Sequence, residues 1–317
     1  MKAHAIAGLS VAVVMIAACR ASSTAREAGP LALAQAFGPI VGREVIGGRV
    51  DDGDEVWLLA GGAHLVHVDI PTRRIRRVAI KIGPGETCWG LARLQDRSLW
   101  TLKGRNALIR MDSDGEVVRT ETLPEPHLGL FGAQGRLVYQ VASFTPPSPA
   151  LRVGAPGDSN TLPWSEMTTR TFDRIARASA VALNMVACGG SARKERPCWF
   201  PDEAAVSLID ASGATRRLAL PGLDVVAPEI LLTSENPPRP VRDAYLDREG
   251  GLWVLSSGTA PPAGTDRPGG WILARYGSAG ELLGVQRLSE SARLILRAGS
   301  GRALLLTGAG MVAEVTP

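Results

Sequence analysis

The 317-residue sequence predicts an all-β fold made of one antiparallel unit repeated along the chain. Three observations carry this. Tryptophan recurs in a fixed strand-like frame, Asp- and Gly-rich turns flank each copy, and 36 glycines with 22 prolines suit many tight turns. At 45% hydrophobic and 21% charged, the composition is that of a folded globular chain and excludes a wholly disordered one.

The repeat is clearest in Glu55-Val56-Trp57-Leu58-Leu59, Ser98-Leu99-Trp100-Thr101-Leu102 and Gly251-Leu252-Trp253-Val254-Leu255. Weaker copies centre on Val138 and Leu304, and Pro197-Cys198-Trp199-Phe200 supplies a sixth. The anchors Trp57, Trp100, Val138, Trp199, Trp253 and Leu304 lie 43, 38, 61, 54 and 51 residues apart. A mean near 49 matches one four-stranded propeller blade with its loops.

A turn precedes each clear anchor: Asp52-Gly53-Asp54, Gln95-Asp96-Arg97, Ala133-Gln134-Gly135, Asp247-Arg248-Glu249-Gly250 and Ala298-Gly299-Ser300-Gly301. A second strand and turn follow, as in Leu108 to Val117, Leu208 to Ala214 and Ala274 to Leu282. One unit is therefore strand, turn, Trp strand, loop, strand, turn, strand. Stacked radially, the Trp strands pack blade on blade; unrelated sandwich hairpins give no reason for Trp to keep one frame. The prediction is a six-bladed β-propeller over 39–317, with four-stranded antiparallel blades and the N- and C-terminal strands sharing one blade. The last anchor is followed by enough chain for about three strands, and Ile40 to Gly47 is the expected source of the fourth.

The run Asp247-Arg248-Glu249-Gly250-Gly251-Leu252-Trp253-Val254 resembles the repeat of NHL-type, two-component-regulator-type and regucalcin/gluconolactonase-like propellers. The resemblance implies six blades and a site at one mouth of the central channel. Regucalcin-like lactonases hold a divalent cation there with a Glu, an Asn and an Asp. In this sequence the register of that Asp falls on Arg242, with Asp243 one residue off; Glu86 and Asn184 are the remaining candidates, without their motifs. An arginine in that position repels a metal, so no metal ligand and no cofactor is assigned.

Counting back 11 residues from the anchors reaches the loop entering each innermost strand. This gives Ile46, Trp89, His127, Arg242 and Arg293, with Asn184 near the irregular fourth copy. Trp89, His127, Arg242 and Arg293 are the predicted ligand-binding residues. They suit an anion or a sugar acid, with stacking on Trp89. His64 and His67 are three apart on one strand and point to opposite faces. No acid/base pair, nucleophile or metal triad stands out, so no catalytic residue is assigned. The reading is a binding or scaffold module for a protein or an anionic small ligand. The alternative is a divalent-metal-dependent lactonase or hydrolase of the six-bladed family.

The N-terminus reads as an address. Met1-Lys2-Ala3-His4 is a short positive region and Ala5 to Ala18 an apolar run of 14 residues, short for a membrane span. Ile16-Ala17-Ala18-Cys19 resembles the bacterial lipobox, which implies a signal over 1–18 and a lipid on Cys19. The Ala- and Ser-rich 19–38 reads as a tether. Arg20, in place of Asp, implies the outer membrane facing the periplasm if the cell is Gram-negative. An exported chain permits disulfides, and Cys188 and Cys198 flank a polar turn and are predicted to pair. Cys88 is left over and expected in the core.

Net charge is +4, with 31 arginines and four lysines but no basic block of the kind that binds nucleic acid. The densest run, Arg73 to Arg77, reads as an edge strand guarded by charge. The Pro-rich segments at 145–149, 236–240 and 260–262 read as stiff connectors.

Overall fold

The computed structural model describes residues 26–27, 32–33 and 46–315, the last except 73, 105, 134, 142–146, 157–160, 174, 235–236 and 258–269. The signal segment, Cys19, residues 40–45 and the Pro-rich 260–262 lie outside the described residues. Among those described, no helix is long and apolar enough to cross a membrane.

Among the described residues the strand pairings sort into six four-stranded units, each starting at the axis and running outward. The first comprises Ile46–Asp52, Glu55–Ala60, His64–Asp69 and Arg74–Ala79, all antiparallel. The second spans Cys88–Arg93 to Val117–Thr122 and the third His127–Ala133 to Leu162–Pro163. The fourth runs from Ala187–Cys188 through Arg196–Trp199 to Thr215–Ala219. The fifth spans Arg239–Leu246 to Leu282–Leu288. The sixth has Ala292–Gly299, Arg302–Thr307 and Val312–Val315. Its fourth strand is Ala32–Leu33, antiparallel to Val312–Val315. The two ends of the chain thus share a blade, but through Ala32–Leu33 rather than Ile40 to Gly47. Ile46 and Gly47 instead begin the innermost strand of the first unit. Arg26–Glu27 adds in parallel to the outer edge of the fifth.

The core explains why the Trp strands are apolar throughout. Their side chains alternate between two seams, and both seams are buried. Val56, Leu58 and Ala60 face Leu294, Leu296, Leu306 and Val312 of the sixth unit, whereas Trp57 and Leu59 face Leu91, Leu99 and Ile109 of the second. Likewise Leu252 and Val254 meet Trp199 and Val206 of the fourth unit, while Trp253 and Leu255 meet Ile295 and Leu305 of the sixth.

There is one cluster per seam, and each of the six anchors packs into the seam with the following unit. Trp100 meets Leu130 and Tyr139; Val138 meets Cys198 and Ile209; Leu304 packs with Val56 and Leu58, closing the ring. Trp57, Trp100 and Trp253 therefore occupy equivalent surroundings, and the fold is a β-propeller.

The turn before Trp253 shows how the motif works. Asp247 is fully buried; Oδ1 accepts the Gly251 amide at 2.6 Å and Oδ2 the Trp253 indole N–H at 2.9 Å. One carboxylate thus closes the turn and fixes the indole. In the second unit Ser98 takes this part, its Oγ accepting from the Trp100 indole at 2.8 Å and donating to Asp96 at 2.6 Å.

Around the axis the inner strands crowd together. A Cβ on Gly90, which sits at φ +68°, would stand 2.4 Å from the Leu130 amide nitrogen, so only glycine allows this approach. The Arg74–Ala79 strand lies at the outer edge with its arginines exposed, as the charge run predicted. Cys188 and Cys198, opposite each other across a strand pair, form a disulfide. Cys88 is buried between the first and second units, and burial pushes its thiol up to about 11, far from a reactive thiolate.

Candidate functional site

The N-terminal ends of the six inner strands gather at one mouth of the axis. There they wall a cavity of about 760 Å³. Ile46, Trp89, Arg242 and Arg293 line it, so four of the residues indexed from the repeat meet although they are up to 247 positions apart. Trp89 lines the cavity and is 48% exposed.

His127 stands elsewhere. It is buried, with its ring edge-on to Tyr139 at 4.8 Å, and Leu128 and Gly129 take the wall position. The physical cause is a register shift between His127 and Gly129. Comparable shifts lie near the mouth in the inner strands of the first, second, fifth and sixth units. A bulge re-aims the next side chain, so a constant offset from the anchor does not select the same facing residue in every unit. Burial holds the His127 imidazole below its usual range, hence neutral at pH 7.

Sequence reasoning missed three cations. Arg49, Arg196 and Arg239 also line the cavity, making five arginines against a single carboxylate, Asp243. That carboxylate is spent internally. Arg49 Nη1 donates to Asp243 Oδ2 at 3.1 Å, Nη2 to Asp51 Oδ1 at 2.6 Å and to the Leu296 carbonyl at 3.1 Å, and Nε to Asp51 Oδ2 at 2.8 Å. The Ile295 amide donates to Asp243 as well, at 2.6 Å. This buried network bolts the first, fifth and sixth units together at the axis. Gly190 of the fourth unit leaves room for it, since a Cβ there would stand 2.2 Å from Arg49 Nη2.

Burial pushes Asp243 up to about 6, with Arg49 pulling the other way. Burial alone would lower the Arg49 guanidinium, but Asp51 and Asp243 outweigh it and hold it above its ordinary value. Arg196 is also spent on structure, donating to the Gly189 and Gly132 carbonyls and lying 5.1 Å over the Phe131 ring.

The other three arginines form the cationic mouth. Burial lowers Arg242, and Arg239 and Arg293 lower it further by repulsion. Arg242 lies 5.5 Å over the Trp271 ring, and Arg293 donates to the Gly308 carbonyl at 2.9 Å. The Nε of Arg239 is buried with no hydrogen-bond partner. Guanidiniums clustered closely enough to repel one another hold a positive potential that an anion would relieve.

Apart from Gln140, the rest of the wall is apolar. The longest unit-to-unit connections, 164–186 and 220–238, each bring a short helix to this mouth, Arg177–Leu183 and Pro228–Thr233. They contribute Leu183, Met185, Leu231 and Leu232.

A divalent cation of the kind the regucalcin resemblance implies does not fit these donors. Glu86 pairs with Lys103 at 3.0 Å and caps the Gly83 amide at 2.7 Å. Asn184 is closed on the Arg170 backbone at both ends of its amide, at 2.7 and 2.9 Å. Asp243 is held by Arg49, and Arg242 stands where the resemblance expects a ligand Asp. Among the described residues no group of three or more His, Cys, Asp or Glu is placed to hold a metal. His64 and His67 do not converge; His67 stacks on Trp57 at 4.3 Å.

No protein-family model matches the chain, and no curated protein does. Solved structures do. A member of the DUF4221 family from Bacteroides vulgatus superposes with TM-score 0.56 at 10% identity, over 91% of this chain and 94% of that one. The calcium-binding protein regucalcin from Agrobacterium tumefaciens superposes with TM-score 0.51 at 11% identity, over 91% and 95%. At such identities the likeness shows the fold alone, and it is the β-propeller that the strand pairings describe.

Proposed function

We propose that this propeller is a binding module whose ligand is an anion seated at the mouth formed by Trp89, Arg239, Arg242 and Arg293. The carrying observation is the gathering of Arg239, Arg242 and Arg293 on the wall of one cavity, where Arg239 and Arg293 repel Arg242 and the wall's Asp243 is committed to Arg49. Guanidinium forks match planar carboxylate and tetrahedral phosphate groups, and the exposed indole offers a stacking face. Pyrophosphate and glucuronate are suitable probes by calorimetry. Arg242→Glu together with Arg293→Glu should weaken binding at least a hundredfold, with the melting temperature little changed. Unchanged affinity in the double variant overturns the proposal.

We further propose, from the lipobox-like Ile16-Ala17-Ala18-Cys19, that the protein sits in the cell envelope, held by a lipid on Cys19 and, in a Gram-negative cell, on the outer membrane facing the periplasm. Cys19→Ser should abolish incorporation of labelled palmitate and release the protein from membranes. Continued lipidation would contradict this address. A metal-dependent lactonase is the weaker reading, because each of its required oxygen donors is already engaged.

A further inference from the structure

The opposite mouth of the axis holds a second cavity, of about 640 Å³. The turns that join first to second strands surround it. The fifth and sixth units supply most of its wall, with Asp51 and Gly53 from the first and Ser191 from the fourth. The Arg49–Asp51 pair stands between the two cavities, Arg49 lining the one already described and Asp51 this one.

The polar groups here differ in kind from those of the arginine mouth, because the charges are matched. Arg302 pairs with Glu314 at 3.3 Å, Arg193 with Glu195 at 3.8 Å, and Arg297 with Asp54. Both oxygens of Asp51 accept from Arg49. Arg248 and Glu249, neighbours in one turn, add one charge of each sign. A guanidinium in an ion pair keeps N–H donors to spare and its carboxylate keeps lone pairs, so donors and acceptors lie side by side.

Two hydroxyls complete the wall. Tyr245 is only 3% exposed, yet its hydroxyl has no hydrogen-bond partner among the described residues. Burial pushes that hydroxyl up to about 12, so it is protonated at neutral pH and able to donate. A buried hydroxyl left unpaired is unfavourable, and a ligand hydroxyl would satisfy it. Ser300 sits at φ +50°, a left-handed conformation that glycine adopts at lower cost. The other non-glycine residue with positive φ among the described residues, Arg97, lies in the corresponding turn of the second unit, at this same mouth. Such local strain gathers where a side chain has work to do.

We propose that this mouth is a second binding site and that its ligand is a neutral polyhydroxylated molecule, a sugar, hydrogen-bonded to Tyr245, Ser300 and the Arg302–Glu314 pair. A sugar hydroxyl both donates and accepts, so adjacent hydroxyls bridge a guanidinium and its carboxylate without parting them. An anion would have to displace the carboxylate, and a cation the guanidinium. Ile70 and Leu304 offer apolar surface to the C–H face of the ring, and the volume is that of a small-molecule site. This site is independent of the anion reading above.

The test titrates the intact protein with glucose, galactose, mannose and N-acetylglucosamine, followed by saturation-transfer NMR. At least one should bind. Tyr245→Phe and Ser300→Gly each remove one hydroxyl and should each weaken that binding roughly fivefold. Phe keeps the ring in its seam and Gly relieves the left-handed residue, so both variants should melt no lower than the wild type. Failure of all four sugars to bind would overturn the proposal. Affinity unchanged in both variants would overturn it as well. So would binding that disappears with Arg242→Glu and Arg293→Glu, since that places the sugar at the other mouth.

Discussion

Trp253→Ala tests the repeat through its energetics. The indole is fully buried in the seam between the fifth and sixth units, against Ile295, Leu305 and Leu288. Truncating a buried Trp to Ala costs roughly 3–5 kcal/mol through lost burial and the cavity left behind. The indole N–H also satisfies Asp247, whose carboxylate has no exposure. Losing that bond adds about 1–2 kcal/mol, moderated because the Gly251 amide and Arg275 still face the carboxylate. The sum is roughly 4–7 kcal/mol, a large share of the about 5–15 kcal/mol that holds a domain folded. Trp89→Ala is the internal control, since that half-exposed ring lies at the mouth and should cost under about 1 kcal/mol. Urea unfolding of both variants, followed by far-ultraviolet circular dichroism, gives the midpoints. A loss below about 2 kcal/mol for Trp253→Ala, or equal losses for the two, would refute the view that in-frame indoles are seam anchors.

Replacing Cys188 and Cys198 by Ser opens a loop with a sequence separation of 10; the unfolding free energy under oxidising conditions should fall by roughly 2–3 kcal/mol, and an unchanged urea midpoint would mean the bridge contributes nothing. Arg49→Met strands Asp51 and Asp243 in the interior and should cost about 3–5 kcal/mol by the same assay. His127 should make stability depend on pH. Its folded-state value lies below the unfolded one, so its contribution is complete above the unfolded value near 6.5 and is lost as pH falls through the folded value. Between pH 7.5 and 5 the wild type should therefore lose more stability than His127→Phe; parallel losses would show that the imidazole is not held neutral.

Much of the fold was legible because Trp and the Asp–Gly turns report local rules that the ring repeats. Trp57, Trp100 and Trp253 each needed a strand with both faces buried, which shows as an unbroken apolar run. Val138 and Leu304 were found by frame alone, since a smaller side chain can fill the same seam. Ala32–Leu33 was not legible: a two-residue strand has no alternation, and its pairing partner lies at the other end of the chain.

The uneven anchor spacings carried more than an average. The intervals of 61 and 54 hold the two long connections that bring helices to the mouth. Indexing from the anchors recovered Trp89, Arg242 and Arg293 but sampled one position per unit. It passed over Arg49, which lies three residues further along its inner strand, and Arg239, hidden beside Pro238 and Pro240. Arg196 escaped it because it reaches the cavity from the second strand of its unit. His127 was misplaced because a bulge turns it inward.

The cationic mouth can be probed most directly by a crystal structure determined in sodium bromide, with anomalous scattering used to locate the anion. The account predicts a strong bromide peak within hydrogen-bonding distance of Arg239, Arg242 or Arg293, beside the Trp89 ring. Bromide bound only on the outer surface, with ordered water alone among those guanidiniums, would contradict it.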